Sequence, residues 1–118
     1  MDRRVKKVLE IIDENLHGRL QVDVLSQSVN LSPSRLQHLF KAELGVPLVQ
    51  HIKLLRLKQA KELLETSFLT VKEITLKIGF NDESRFIQDF KKAYGLTPAQ
   101  YRRRYDAFTS NEDKHTNE

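Results

Sequence analysis

The chain has no cysteine and no tryptophan, and its 118 residues include only four glycines and three prolines. The lack of cysteine excludes disulfide bonds and a thiolate zinc site, so the fold depends on packing alone. Apolar runs never approach the roughly 18 residues that cross a bilayer, and we therefore expect no membrane partner and no signal peptide. The lack of cysteine, of a membrane span and of a signal peptide suits a cytoplasmic protein. We also expect that the chain binds no cofactor.

Positive charge is what the chain has in excess. Its 20 lysines and arginines against 16 acidic residues give a net charge of +4, but four of the acids lie in residues 106–118 beside a single lysine. Without that stretch 19 basic and 12 acidic residues remain, a net of +7. Such an excess attracts a polyanion, and nucleic acid is the commonest one inside a cell. A merely solvated basic surface fits the same charge.

Apolar residues recur at helical spacing along the whole chain, and no stretch alternates as a strand would. We therefore predict an all-α fold of seven helices, at 3–17, 22–28, 33–43, 47–66, 71–77, 82–93 and 98–106. Residues 3–106 form the predicted domain, with one subdomain at about 3–45, a linker helix at about 47–66 and a second subdomain at about 70–106. The polar stretch 107–118 is predicted to be a disordered tail.

Two kinds of signal set the predicted helix boundaries. A capping oxygen before a proline, or three residues before a glutamate or glutamine, marks a start, and a glycine that can adopt left-handed geometry marks an end. The predicted starts are Ser32 with Pro33, Thr70 with Glu73, and Thr97 with Pro98 and Gln100, and the predicted ends are Gly18, Gly45 and Gly95.

The second and third predicted helices resemble the fifth and sixth. Before the turn the matches lie 49 residues apart, pairing Val22, Leu25, Val29, Leu31 and Ser32 with Val71, Ile74, Ile78, Phe80 and Asn81. After it they lie 50 apart, pairing Leu36, Phe40, Lys41 and Gly45 with Phe86, Phe90, Lys91 and Gly95. One residue has therefore been added early in the second copy's last helix or its entry. Each copy has the form of a helix-turn-helix, and two in register are a much stronger signal than one.

The predicted linker helix sets the expected distance between the two copies. At 1.5 Å per residue it spans about 30 Å, close to the roughly 34 Å between successive major-groove faces of a duplex. One chain could therefore place two recognition helices on the same face of DNA. If their separation is shorter than a turn of DNA, the duplex must bend to satisfy both.

Residues of both halves resemble the signature of AraC/XylS-type transcription regulators over about residues 3–105. The second half carries Glu73, Ile74, Gly79, Phe80, Asp82, Ser84, Phe86, Phe90, Lys91, Lys92, Gly95, Thr97, Pro98, Tyr101 and Arg102. The first carries Leu25, Leu31, Ser32, Leu36, Leu39, Phe40, Gly45, Pro47 and the linker's Arg56. The chain departs from the pattern at Ser26 and Thr75, where alanine is common, and at Arg85 and Gln88, where an aromatic residue and an arginine are frequent. The last two departures predict an unusual half-site.

The resemblance implies a monomeric DNA-binding domain whose third and sixth helices enter consecutive major grooves of double-stranded DNA. Members regulate transcription, mostly as activators, which makes RNA polymerase an expected partner. Many join this domain to an effector-binding or dimerisation domain. The chain is therefore expected to be either a small stand-alone regulator or the DNA-binding domain of a longer one, and the second is favoured.

The predicted DNA contacts fall into two sets. The base-reading set is Ser34, Arg35, Gln37 and His38 in the third helix and Glu83, Ser84, Arg85 and Gln88 in the sixth; Ser34, Gln37 and His38 match base-reading positions of the family. Glutamine can pair bidentately with adenine, and arginine with guanine or with a phosphate. His38 can donate to a purine or be an ordinary exposed residue. The phosphate set is Lys41, Lys91, Lys92, Arg102, Arg103 and Arg104, any of which could also be simply solvated.

Other residues at helical spacing are assigned to the fold. Asp82 is predicted to be a helix cap or an intramolecular partner rather than a DNA contact, because a carboxylate near phosphates is repelled. The phenylalanines Phe40, Phe80, Phe86 and Phe90 are predicted to be core residues, which argues against single-strand binding through exposed aromatic side chains.

Two other functions were weighed. An enzyme is disfavoured because there is no glycine-rich phosphate loop or metal-ligand cluster, and the four histidines are dispersed. A helical protein-interaction module explains the fold but not the paired motif. Steeply salt-dependent affinity for a duplex distinguishes it from a DNA-binding domain.

Overall fold

The computed structural model of the chain describes the backbone of residues 1–116 and the side chains of residues 1–110. Over these residues it contains seven helices and no strand, which confirms the predicted fold class. They are α1 (Arg3–Glu14), α2 (Val22–Ser28), α3 (Pro33–Leu44), α4 (Leu48–Thr66), α5 (Val71–Lys77), α6 (Glu83–Tyr94) and α7 (Pro98–Thr116). In the described part of the chain, none of these helices is long and apolar enough to cross a membrane.

The chain divides into two compact units, Met1–Arg56 and Leu57–Glu118, with the boundary inside α4. Unit 1 therefore holds α1, α2, α3 and the first half of α4. Unit 2 holds the rest of α4 with α5, α6 and α7. Each unit contains one copy of the repeat.

Each unit has its own apolar core. In unit 1 the buried apolar side chains come from all four helical segments: Val5, Val8, Ile12, Leu25, Leu36, Phe40, Leu48 and Ile52. In unit 2 they are Leu57, Ala60, Leu64, Ile74, Ile78, Phe86 and Phe90, with Phe80 packed against them. The four phenylalanines predicted to be core residues do lie in these cores. Burial of apolar surface at this spacing fixes α3 and α6 each against its own unit.

The predicted helix starts are confirmed by capping bonds. Ser32 accepts a hydrogen bond from the Arg35 N–H at 3.1 Å. Thr70 and Glu73 form a complete capping box at the start of α5. A reciprocal pair of bonds also joins Thr97 and Gln100, at 3.0 and 3.2 Å. These bonds satisfy backbone N–H groups that have no partner inside the helix.

The end of α1 differs from the prediction. The helix stops at Glu14 and not at residue 17, and Gly18 does not have the left-handed backbone expected of it. Asn15 ends the helix instead, because its backbone dihedrals (φ −125°, ψ 25°) depart from helical values and its side chain donates to Ile11 O at 2.9 Å. Gly45 and Gly95 do have the predicted geometry, with φ of 80° and 83°.

The end of α7 is the second correction. The helix continues to Thr116, although it was predicted to end at 106 and to be followed by a disordered tail from 107. After Pro98 the chain contains no glycine or proline, so no residue stops helix propagation. Residues 117–118 of the predicted tail lie outside the described residues.

Candidate nucleic-acid interface

The turn between the two helices is built in the same way in both copies. The Leu31 N–H donates to Ser26 O at 2.9 Å, and 49 residues later the Phe80 N–H donates to Thr75 O at 3.1 Å. One residue earlier in each turn the backbone is left-handed, at Asn30 (φ 58°) and Gly79 (φ 88°). Asparagine and glycine are residues that adopt this conformation at low cost. The shared bonds fix the direction in which each second helix leaves the turn.

Ser26 in α2 and Thr75 in α5, which stand where alanine is common in the family, each find a hydrogen-bond partner within their own helix. Ser26 and Thr75 are 1% and 2% exposed. The Ser26 hydroxyl donates to Asp23 O at 2.9 Å, and the Thr75 hydroxyl donates to Val71 O at 2.8 Å. Because a buried hydroxyl is costly only when it lacks a partner, both substitutions are tolerated.

The extra residue of the second copy lies in its turn. The N-cap of α3 is Ser32 and that of α6 is Asp82, which are 50 residues apart, so the added residue precedes the helix at Asn81. Asp82 accepts from the Ser84 N–H at 2.9 Å, which confirms its predicted role as a cap. A carboxylate at this end of a helix is also stabilised by the helix dipole.

The outward face of α3 carries the predicted reading residues. Leu36 and Phe40 point into the core of unit 1 and are 0% exposed. The other face presents five exposed polar side chains: Ser34, Arg35, Gln37, His38 and Lys41. All of the third-helix residues predicted to read bases therefore lie on one solvent-facing surface.

The outward face of α6 has the same organisation. Phe86 and Phe90 are 0% exposed. The exposed polar side chains are Glu83, Ser84, Arg85, Gln88, Lys91 and Lys92. Arg85 makes an ion pair with Asp89, one helical turn later, at 3.6 Å. The sequence argument missed Asp89, although an arginine and an aspartate four residues apart on a helix is a readable signal.

Arg102 differs from the rest of the predicted phosphate set. Lys41, Lys91, Lys92, Arg103 and Arg104 are exposed. The Arg102 guanidinium instead donates to four backbone carbonyls around the α4–α5 connection: Leu64 at 3.1 Å, Leu69 at 2.5 Å, Ser67 at 3.3 Å and Leu63 at 3.4 Å. With its donors used inside unit 2, we reassign Arg102 from phosphate contact to bracing this loop.

Unit 1 contains a similar brace that the sequence argument also missed. The Arg56 Nε donates to Leu16 O at 3.0 Å, and a terminal nitrogen donates to Gly18 O at 2.7 Å. These carbonyls belong to the α1–α2 connection. An arginine suits this role because its planar fork supplies several donors at once.

On the buried side of α3 and of α6, a ring of the following helix contacts a core phenylalanine. In unit 1 the Phe40 and His51 rings lie 5.3 Å apart, and in unit 2 the Phe90 and Tyr101 rings lie 5.9 Å apart. Burial lowers the pKa of His51, against a smaller opposing effect of Asp13. Burial, together with donation of its hydroxyl to Glu65, raises the pKa of Tyr101.

Within the described residues, no group of three or more histidines and carboxylates could hold a metal ion.

Two helix-turn-helix motifs, each with a buried apolar face and an exposed polar face on its second helix, define a DNA-binding domain. A family described as "Helix-turn-helix domain" matches residues 25–104. The arabinose operon regulatory protein of Escherichia coli is 35% identical over 103 residues, which are 86% of this chain and 35% of that protein. The HTH-type transcriptional activator AarP of Providencia stuartii is 33% identical over 98 residues, 83% of this chain and 73% of that protein.

Among solved structures, the DNA-binding domain of the global transcriptional factor AdpA, in complex with a target DNA, matches with a TM-score of 0.85. The two are 28% identical, and the match covers 90% of this chain and 96% of that one. This chain belongs to the AraC/XylS family of DNA-binding transcription regulators. It spans about a third of the length of the first curated relatives that it matches.

Proposed function

We propose that this chain binds a specific duplex sequence with α3 and α6 in adjacent major grooves, and that it serves as the DNA-reading part of a transcription activator in the bacterial cytoplasm. The observation that carries the proposal is the duplicated arrangement of exposed polar side chains on α3 and α6. Each set lies opposite two buried apolar residues, Leu36 and Phe40 in α3 and Phe86 and Phe90 in α6. Each helix follows a turn that is closed by the same backbone bond. A packing motif alone would not require the same turn bonds and the same pattern of buried and exposed positions to recur in both units.

The residues of the two helices are given different roles. Gln37 would pair with adenine, His38 would donate to a purine acceptor, and Arg85 would pair with guanine. Other base-edge contacts would come from Ser34, Arg35, Glu83, Ser84 and Gln88. Phosphates would be contacted by Lys41, Lys91, Lys92, Arg103 and Arg104, which position the protein without reading sequence.

The proposal includes partners beyond DNA. An activator acts on transcription through RNA polymerase, which we propose as the protein partner. Because the chain spans about a third of relatives such as the arabinose operon regulatory protein, we also propose an effector-binding or dimerisation domain in the same regulator.

The test is selection of bound sequences from a random duplex library, followed by titration of the selected duplex at two salt concentrations. Gln37→Ala and Arg85→Ala should each relax the preference at one block of base pairs, by about 1 to 3 kcal/mol for a lost bidentate contact. Gln27→Ala is the matched control for Gln37→Ala, because Gln27 is an exposed glutamine on α2, outside the reading helix. Gln27→Ala should leave both blocks unchanged.

Two enriched blocks about one helical turn apart, each relaxed by a different variant, would establish two reading helices and their order. Weak binding that salt abolishes, with no enriched sequence, would show that the charge serves only non-specific attraction. Binding to a protein partner with no affinity for duplex would favour an interaction module instead.

A further inference from the structure

Arg85 and Asp89 form an ion pair along one side of α6. Arg85 Nε and Asp89 Oδ2 are 3.6 Å apart, and the two side chains are 71% and 14% exposed. An ion pair with so exposed an arginine contributes little to the free energy of folding. The order of the charges also matters, because a pair with the base first and the acid four residues later is the weaker arrangement for a helix.

We propose that Asp89 is a positioning residue that holds Arg85 in the orientation that reads guanine. The inference rests on the proposed role of α6 as a reading helix. Since the ion pair engages Nε, the two terminal nitrogens of Arg85 are left to donate together to the O6 and N7 atoms of guanine. A free arginine would lose side-chain entropy when it orders on a base, and an arginine already held loses less.

Asp89 also affects which DNA group Arg85 binds. Its carboxylate places a negative charge beside the guanidinium, and a phosphate approaching the same guanidinium is repelled by that charge. A guanine edge offers neutral acceptors and is not repelled in this way. The pair therefore directs Arg85 away from the backbone and towards a base.

Unit 1 lacks this device at the equivalent position. Fifty residues before Arg85 and Asp89 the chain has Arg35 and Leu39, and Leu39 packs against the core of unit 1. An arginine at Arg35 has no carboxylate one turn later on its own helix. The proposal therefore assigns sharper guanine discrimination to Arg85 than to Arg35.

The test measures binding to four duplexes that differ only at the base pair relaxed by Arg85→Ala. Asp89→Asn keeps the size of the side chain and removes its charge. We expect it to lower the preference for G·C at that base pair by about tenfold, within the range of one bidentate contact. In the Arg85→Ala background the same change should cause no further loss of G·C preference, because the proposed role of Asp89 in base reading is exercised through Arg85.

A matched control separates positioning from net charge. Glu10→Gln removes one negative charge and breaks the exposed Lys7–Glu10 pair on α1, where the atoms are 4.0 Å apart. It should leave the base-pair preference unchanged. Asp89→Leu introduces the residue found at the equivalent position of unit 1, and it should lower the preference for G·C as much as Asp89→Asn does. Thermal unfolding of each variant checks that it is folded.

The possible outcomes distinguish this inference from the proposed function. Full discrimination by folded Asp89→Asn, at a base pair that Arg85→Ala relaxes, overturns the positioning role and leaves the reading role of Arg85 intact. An equal loss in the Arg85→Ala background also overturns it, because Asp89 would then act independently. If Arg85→Ala relaxes no base pair, both the reading role of Arg85 and the role of Asp89 are overturned.

Discussion

The two helix-turn-helix units can be compared position by position, because they share their turn bonds, a glycine at the end of the second helix and a ring contact behind it. They differ in the residues that carry these features. The left-handed turn residue is Asn30 in unit 1 and Gly79 in unit 2, and the ring behind the reading helix belongs to His51 or Tyr101. The comparison teaches that the duplicated backbone fixes where a recognition helix lies, while its supporting side chains vary.

The largest expected effect comes from removing the equivalent core rings, Phe40 and Phe90, which are both 0% exposed. Phe40→Ala and Phe90→Ala should each destabilise the chain by about 3 to 5 kcal/mol through lost burial and a cavity. Because each ring belongs to a different core cluster, loss of amide-exchange protection should concentrate in the unit that carries the change. Hydrogen exchange resolved along the chain checks this.

Phe68→Ala is the control, since the Phe68 side chain is fully exposed and its removal should change stability by less than about 0.5 kcal/mol. Equal loss of protection in both units for either core variant would contradict the comparison. The domain would then unfold as one cooperative structure rather than as two.

The second effect concerns the arginine braces. Arg102 donates to four carbonyls and Arg56 to two. Arg102→Ala should therefore cost more, about 2 to 3 kcal/mol, and Arg56→Ala about 1 to 2 kcal/mol, because charge-assisted bonds are lost and carbonyls are left without partners. Urea denaturation followed by circular dichroism measures both.

The neighbouring Arg103 sharpens this prediction. It is exposed and is proposed to contact phosphate, so Arg103→Ala should leave stability nearly unchanged and lower the salt dependence of DNA binding by about one unit of slope. If Arg102→Ala had no effect on stability and lowered the salt slope instead, the reassignment of Arg102 would be wrong.

The hydrogen bonds of these arginines could not be predicted from the sequence, whereas the helix caps could. A cap and the N–H that it satisfies lie within three residues, so the starts of α3, α5 and α7 could be predicted from Ser32, Thr70 and Thr97. The carbonyls bound by Arg102 are 33 to 39 residues away in the chain. Every residue has a backbone carbonyl, so the sequence does not show which carbonyls accept a side-chain hydrogen bond. An arginine that binds carbonyls therefore cannot be distinguished, from sequence alone, from one that binds phosphate.

The reading faces were more predictable than the braces. Helical spacing alone separates Leu36 and Phe40, which are buried, from the exposed Gln37 and His38 on the same helix. The contact of Asp89 with Arg85 was also readable, because it joins positions four residues apart. Which of these side chains reads a base depends on how the duplex lies against them, and this stays a prediction.

The smallest expected effect is a difference in pH response between the units. Burial lowers the pKa of His51 in the folded protein, while the unfolded chain takes up a proton near the ordinary value of 6.5. Protonation therefore favours unfolding, so the contribution of His51 is fully present above pH 6.5 and declines as the pH falls below it. Tyr101, its counterpart, stays neutral throughout this range because its pKa is raised, so acid acting through these two residues should weaken unit 1 and not unit 2.

The chain offers a probe specific to one unit, because its three tyrosines, Tyr94, Tyr101 and Tyr105, all lie in unit 2. Between pH 7 and pH 5, the denaturation midpoint seen by circular dichroism should fall further than that seen by tyrosine fluorescence. His51→Gln should remove the His51 contribution to this difference, since glutamine does not titrate. A difference that persisted unchanged in His51→Gln would mean that groups other than His51 set the acid response of unit 1.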